Sequence, residues 1–504
     1  MSNYRDYILK GKDVAVFEID TDPISLDPAK CDDYIGQIIS QAMFEPLFIR
    51  DIETEQWVCG AAENFEVSSD GLTYIFNLRK DRFWSDGISV VAQDFVFAFQ
   101  RLFHPKINSP IGQILSFIKN GEEILNGVLP VTELGVEALG PRKLKISLTE
   151  CLPFLPSILG SPNTSPFPYR TEQVSWTDER LNITNGAYVL KEYKSGQFVR
   201  LERNPFYPNS SSNHVKDVLF VINRELDYSL QNYEKGNIDV TCNTYFPFEE
   251  IKRFKQRDDF YMFPSGILFF LQFGNRNDLF KKKQARQALY YIVNKSQIAQ
   301  TLHGGIIPWD HFASIGVSEK LFDDQSNYCY HPEKAVKLWK QEERENQALS
   351  ILYADFFPNG EICHSIKSEM EKHLGITLTL EGCSFEDFVI RHEQREYDLC
   401  LALLSPLYND PFNYFQYFLS ELSEEDEDEF IDILQKALGD EKENHCTYYK
   451  KANDYLLEKL PSIPLFNGQS IFLKNPFLKG YKIFKDGSIS IQNLSWGTDE
   501  KPKL

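Results

Sequence analysis

The side chains that could do chemistry in this chain are plentiful, but they are not arranged for it. Nine histidines are dispersed along the chain. There is no Gly-x-Ser-x-Gly elbow, no Walker-type phosphate loop and no His-Glu-x-x-His helix. The tightest metal-like group is Glu361, Cys363 and His364, with His373 further on. That spacing suits no standard zinc pattern, and a helix surface carrying an incidental cysteine explains it better. Carboxylates are so numerous that a glycosidase pair could be drawn almost anywhere, which empties that signal. Cysteines stand at Cys31, Cys59, Cys151, Cys242, Cys329, Cys363, Cys383, Cys400 and Cys446, an odd number with no Cys-x-x-Cys pair. Zinc and thioredoxin-like chemistry are therefore weak readings, and at least one thiol is free or paired to another chain. Two acidic stretches read first as helix caps: Asp32-Asp33 ahead of 34–42, and Asp410 ahead of Pro411. Aromatic residues make up 14% of the chain and could line a stacking cleft, but most fall at core positions. No catalytic constellation and no cofactor site emerges.

The elements that must carry these residues are easier to read. Leu72, Tyr74, Phe76 and Leu78 alternate with Thr73, Ile75, Asn77 and Arg79, the period of a strand with one buried face. Asp70-Gly71 and Asp86-Gly87 are turn dipeptides at either end of that unit. Phe95, Phe99 and Leu102 then recur at helical spacing, with Asp94 in the first turn where a carboxylate suits the helix dipole. Helical periods also appear around 285–302 and 430–457, and 267–273 reads as one buried strand. The same holds for the run Leu401 to Leu404. Ser210-Ser211-Ser212-Asn213 reads as a surface loop. The acidic run Glu424 to Glu429 reads as a solvated loop or helix start.

At 504 residues the chain is too long for one core, so two or three domains are expected. Its formal charge of -20 opposes binding to nucleic acid or to an anionic membrane surface. No apolar run approaches the ~20 residues a membrane helix needs. The start, Met1-Ser2-Asn3-Tyr4-Arg5-Asp6, shows no apolar export segment and no cleavage site.

Certain words recur in a telling order. Ser25-Leu26-Asp27-Pro28 is followed by Phe44-Glu45-Pro46-Leu47, Asp70-Gly71-Leu72-Thr73-Tyr74, Phe83-Trp84-Ser85-Asp86-Gly87 and Gln93-Asp94-Phe95. Next come Asn185-Gly186-Ala187-Tyr188, Arg203-Asn204-Pro205-Phe206-Tyr207, Gly236-Asn237-Ile238-Asp239-Val240 and Ala285-Arg286-Gln287-Ala288-Leu289. His331-Pro332-Glu333, Ile463-Pro464-Leu465 and Gly480-Tyr481 close the series. This order, spread over nearly the whole chain, resembles the extracytoplasmic solute-binding proteins of family 5, the oligopeptide- and dipeptide-binding receptors of ABC importers. The resemblance implies an α/β bilobal periplasmic-binding-protein fold with an extra inserted domain. The first lobe would be built from 1–45, 160–272 and 470–504, the inserted domain from 46–159 and the second lobe from 273–469. It also implies a monomeric, non-enzymatic receptor that closes on a peptide or peptide-like ligand and presents it to permease subunits. Members are exported to the periplasm or cell exterior and often lipid-anchored, so an export segment trimmed from this sequence is the favoured reading.

The resemblance further implies a binding site, and here the chain departs from its pattern. The family holds a peptide's α-ammonium with an aspartate of the second lobe, because an unpaired buried charge is costly. In Ser405-Pro406-Leu407-Tyr408-Asn409-Asp410-Pro411-Phe412 that place falls to Leu407, with Asp410 the nearest acid. The arginines of the carboxyl end fall at His392 and Leu401, a pocket tryptophan at Phe385 and pocket tyrosines at Ile111 and Phe269. The first-lobe contacts fall at Asp32 and Tyr34. Two accounts stand: Asp410 supplies the missing charge, or the ligand lacks zwitterionic peptide ends, as a saccharide, metal complex or haem would.

Overall fold

A computed structural model describes residues 13–109, 111–169, 183–208, 214–223, 228–318, 321–322, 330–341, 347–439 and 442–497. The expected loop at 210–213 lies outside them, as does Cys329, while Cys31, Cys59, Cys242, Cys363, Cys383, Cys400 and Cys446 are free thiols. The first lobe is built on a four-stranded sheet ordered Val14–Ile19, Asp217–Ile222, Phe198–Arg203, Tyr188–Lys194; its first pair is parallel and the others antiparallel. An antiparallel sheet of Ala62–Val67, Thr73–Leu78, Lys143–Ser147 and Val136–Gly140 forms the inserted domain. The period-2 reading holds there, with Tyr74, Phe76 and Leu78 buried and their neighbours half-exposed. Phe17 and Phe220 of the first sheet share one continuous core with Phe76, Phe95 and Phe99 of the inserted domain. The inserted domain is thus welded to the first lobe.

The ordered words turn out to be the polar ties of that weld. Asp27 receives two hydrogen bonds from the buried guanidinium of Arg101, at 2.8 and 3.2 Å. Glu45 is gripped by Arg82 and by the Tyr207 hydroxyl, while Asn185 donates to its carbonyl and accepts from its N–H. Asp94 heads the helix Ala92–Leu102 and accepts from the Trp84 indole at 3.0 Å and from the Val91 N–H at 2.9 Å. Asp239 accepts from the Val16 N–H and the Asn475 amide. Each is a buried carboxylate whose desolvation is offset by several donors, so the pattern marks where distant segments are tied rather than where ligand is held.

The second lobe has a six-stranded mixed sheet ordered Ile307–Pro308, Ser462–Leu473, Phe260–Phe273, Leu399–Leu404, Ala348–Ala354, Thr377–Cys383. Leu268, Phe270 and Ala402 face one core, and Phe269, Leu271 and Leu401 face the other. A strand covered on both faces reads as an unbroken apolar run, which is why 267–273 shows no alternation. The helical stretch around 285–302 is two helices, Lys283–Ile292 and Lys295–Thr301, broken where Asn294 caps the second. The stretch around 430–457 divides between Glu424–Ala437 and Lys442–Lys459. The acidic run forms the first turns of Glu424–Ala437, where carboxylates suit the helix dipole.

Two long strands join the lobes. Phe260–Phe273 and Ser462–Leu473 pair antiparallel from Phe260 opposite Leu473 to Gln272 opposite Ser462. Their outer ends are tied to the first lobe, where Thr241 exchanges hydrogen bonds with Leu473, and their inner ends form the middle of the second sheet. The ladder is interrupted between Pro264 and Leu268, and the Asn467 side chain fills the gap by bonding to Ser265, Gly468 and Ile315. The interruption coincides with the crossing between lobes.

Candidate functional site

Where the lobes meet they enclose a cavity of about 210 Å³. One wall is the entry to the helix Tyr34–Met43, and beside it stand Arg50 and Trp57 from the short strands Phe48–Arg50 and Trp57–Cys59. The opposite wall is the second-lobe segment Ser405 to Asn409, and the floor is the hairpin turn around Asp486. The two acids that both read as caps separate here. Asp33 caps the helix, accepting from the Gly36 N–H at 2.7 Å and the Ile24 N–H at 3.1 Å. Asp32 lines the cavity, exposed, with no hydrogen-bond or ion-pair partner among the described residues. The Tyr34 hydroxyl accepts from Asn243 at 2.6 Å, and burial pushes its pKa up, so it stays a neutral phenol.

Arg50 and Asp486 form the charged floor, 2.5 Å apart, with the carboxylate also accepting from the Ser488 N–H and hydroxyl. The guanidinium also donates to the Glu55 carbonyl and lies 4.3 Å from the Phe484 ring centre. This pair cancels internally and leaves Asp32 as the uncompensated charge of the cavity. Neither Arg50, Trp57 nor Asp486 stands out in the sequence. The available signals were the Asp486-Gly487 turn dipeptide and the nearness of Arg50 to the Phe44-Glu45-Pro46 word.

Of the expected site residues, Asp32, Tyr34, Leu407, Tyr408 and Asn409 are brought together around the cavity. Leu407 presents its side chain there at 41% exposure, so the wall is apolar where the resemblance places an acid. Tyr408 stacks on Phe154 of the inserted domain with ring centres 4.8 Å apart. Asp410 does not line this cavity. It caps the helix Pro411–Leu419, accepting from the Phe412 N–H at 2.9 Å and the Tyr449 hydroxyl at 2.6 Å. Burial pushes its pKa up to about 6, against those hydrogen bonds. The remaining five lie elsewhere. Ile111 is packed in the first core, and Phe269 and Leu401 are in the core of the second lobe. Phe385 is exposed on the helix Phe385–Glu393. His392 closes that helix with its Nε2 2.6 Å from Gln272 Oε1, and burial lowers its pKa. The loose metal-like group is also dispersed: Cys363 is fully buried and His364 bonds the Gly360 carbonyl. Among the described residues no cluster of histidine, cysteine and carboxylate is placed to hold a metal ion.

A solvent-lined cavity between two lobes hinged on paired strands is a site for enclosing a solute. A family model described as bacterial extracellular solute-binding proteins, family 5 (middle), matches residues 56–425. The chain belongs to this family. It is 27% identical over 477 residues to the periplasmic oligopeptide-binding protein OppA of Escherichia coli, covering 91% of this chain and 87% of the relative. It is 26% identical to the probable deoxycholate-binding periplasmic protein YgiS of the same organism, covering 92% and 89%. The fold matches the solved E. coli murein tripeptide-binding protein MppA with a TM-score of 0.84 at 23% identity, over 96% of this chain and 98% of that one. No helix among the described residues is long and apolar enough to cross a membrane.

Proposed function

We propose that this family 5 protein is the receptor of an ABC importer, a monomer that captures oligopeptides or peptide-like solutes between its lobes and delivers them to a membrane permease. The observation that carries the reading is the interlobe cavity. It has a carboxylate, Asp32, unpaired among the described residues, on one lobe and Leu407, Tyr408 and Asn409 on the other, in a chain that aligns along most of its length with an oligopeptide-binding relative. Closure needs a ligand that touches both lobes, since only differential affinity for the closed state shifts the equilibrium. Asp32 gives such a ligand's ammonium a partner from the first lobe, and main-chain amides supply the rest. The work is binding rather than catalysis. In this reading 46–159 is inserted, 1–45, most of 160–272 and 470–504 form the first lobe, and 268–272, expected there, go with 273–469 because they pair with Leu399–Leu404 in the second-lobe sheet; the receptor is held outside the cytoplasmic membrane by a lipid tether. Palmitate labelling of the cell-expressed protein tests the tether.

The deciding experiment is native mass spectrometry of the protein as purified, followed by calorimetry with synthetic peptides. A ladder of peptide masses, and affinity lost on Asp32→Asn, supports the reading. Absence of binding to any peptide in a mixed-sequence library sinks it. Leu407 supports a second reading, a ligand with a less polar end, which a single defined non-peptide mass would favour.

A further inference from the structure

Beside the central cavity lies a second, solvent-open chamber of about 780 Å³, and Arg50, Trp57, Ser157 and Asn409 line both. Ligand pockets commonly run from about 300 to 1,000 Å³. The adjoining pocket of about 780 Å³ lies within that range, and it shares part of its lining with the central cavity of about 210 Å³. Trp57 is the partition. It is half-buried, and its ring lies so close against Gly160 that a Cβ added there would sit 2.2 Å from it.

The charges of the second chamber are one-sided. Arg50 is committed to Asp486, and Glu55 is paired with Lys482 at 2.7 Å. The Glu53 carboxylate is exposed and has no partner among the described residues. Asp410 is held by a hydroxyl and an N–H, with no salt bridge among the described residues. The wall is mostly polar, but it carries an apolar patch that includes Phe65, Phe154 and Pro153. A long basic side chain fits such a wall: its alkyl stem covers apolar surface, its charge reaches a carboxylate, and an aromatic face such as Trp57 attracts the cation in passing.

We infer that the ligand does not end in the central cavity but passes Trp57 into this second chamber, which selects an extension bearing a positive charge. The inference rests on the peptide-receptor reading above and adds to it a length and charge preference. The test is calorimetry with trialanine and its one-residue extensions by Lys, Ala or Glu, placed at either end. At one end only, the Lys extension should bind at least tenfold tighter than the Glu extension, and the gap should narrow with added salt. Glu53→Gln, an exposed change, should shrink the gap several-fold at an unchanged melting temperature. Trp57→Ala should alter the affinity of extended peptides more than that of trialanine. Lys and Glu extensions within twofold of each other at both ends, with trialanine still bound, would overturn the second chamber and leave the receptor reading standing. Failure of trialanine and of every extension to bind would overturn both.

Discussion

Gly316 stands where closure can be blocked by one methyl group. It lies in the short second-lobe helix Ile315–Ser318, and the hairpin turn of the first lobe's C-terminal segment rests against it. A Cβ built at Gly316 would sit 2.1 Å from the Lys485 carbonyl oxygen and 2.7 Å from its carbon. Ordinary contact begins near 3.4 Å, so the lobes must part by roughly 1 Å at this point. Both neighbours are backbone, so no side chain can swing aside. Overpacking of this kind costs about 1–3 kcal/mol. If that cost falls on the closed state alone, apparent affinity drops by roughly five- to 150-fold, because binding is reduced by the fraction of closed-competent protein. Gly316→Ala is therefore expected to weaken peptide binding by that factor in calorimetry. It should also leave the liganded protein with a larger radius of gyration by small-angle scattering, and the ligand-free melting temperature should change little. An affinity within twofold of wild type, with the same ligand-induced compaction, would refute the idea that this contact belongs to closure.

Saturation with the correct ligand at a hundredfold excess over Kd should add about 2.7 kcal/mol of stability, read as a raised melting temperature. Either Asp27→Ala or Arg101→Met should destabilise by about 3–5 kcal/mol, since each breaks a buried ion pair by removing one member, while the double change should cost clearly less than the sum in a double-mutant cycle. Asp410 titrates higher in the fold, at about 6, than its ordinary value of 3.8. Between those values the folded state binds more protons than the unfolded one, so this group's contribution favours folding increasingly as pH falls from about 6 to about 4. Asp410→Asn should remove that part of the pH dependence of the melting temperature over pH 4–7, and an unchanged profile would count against a carboxylate whose titration is raised by burial.

Much of the fold was legible before any coordinates. The alternation at 72–78 and the helical spacing of Phe95, Phe99 and Leu102 reappear as drawn, because periods of two and of three to four residues are local consequences of strand and helix geometry. The ordered words were legible as a family pattern, but not as what they are. Asp27 with Arg101, and Glu45 with Arg82 and Tyr207, meet only after folding, across 74, 37 and 162 residues of chain. Of the residues expected at the site, Asp32 and Tyr34 line the interlobe cavity, whereas Phe269 and Leu401 lie in the second core.

By itself, then, the sequence determined the elements, the family and the absence of any ordered catalytic motif. Those follow from residue type at short spacing and from the order of words along the chain. Which of two adjacent aspartates caps a helix and which faces the cavity was decided by the packed geometry: Asp33 turns onto the Gly36 N–H, and Asp32 is left without a partner among the described residues. Arg50, Trp57, Leu407 and Asp486 come from four distant segments and share one cavity because two paired strands carry the chain across between the lobes. No local pattern encodes that meeting. It is set by the register of those strands and by which faces the two cores leave uncovered, and both are properties of the packed molecule.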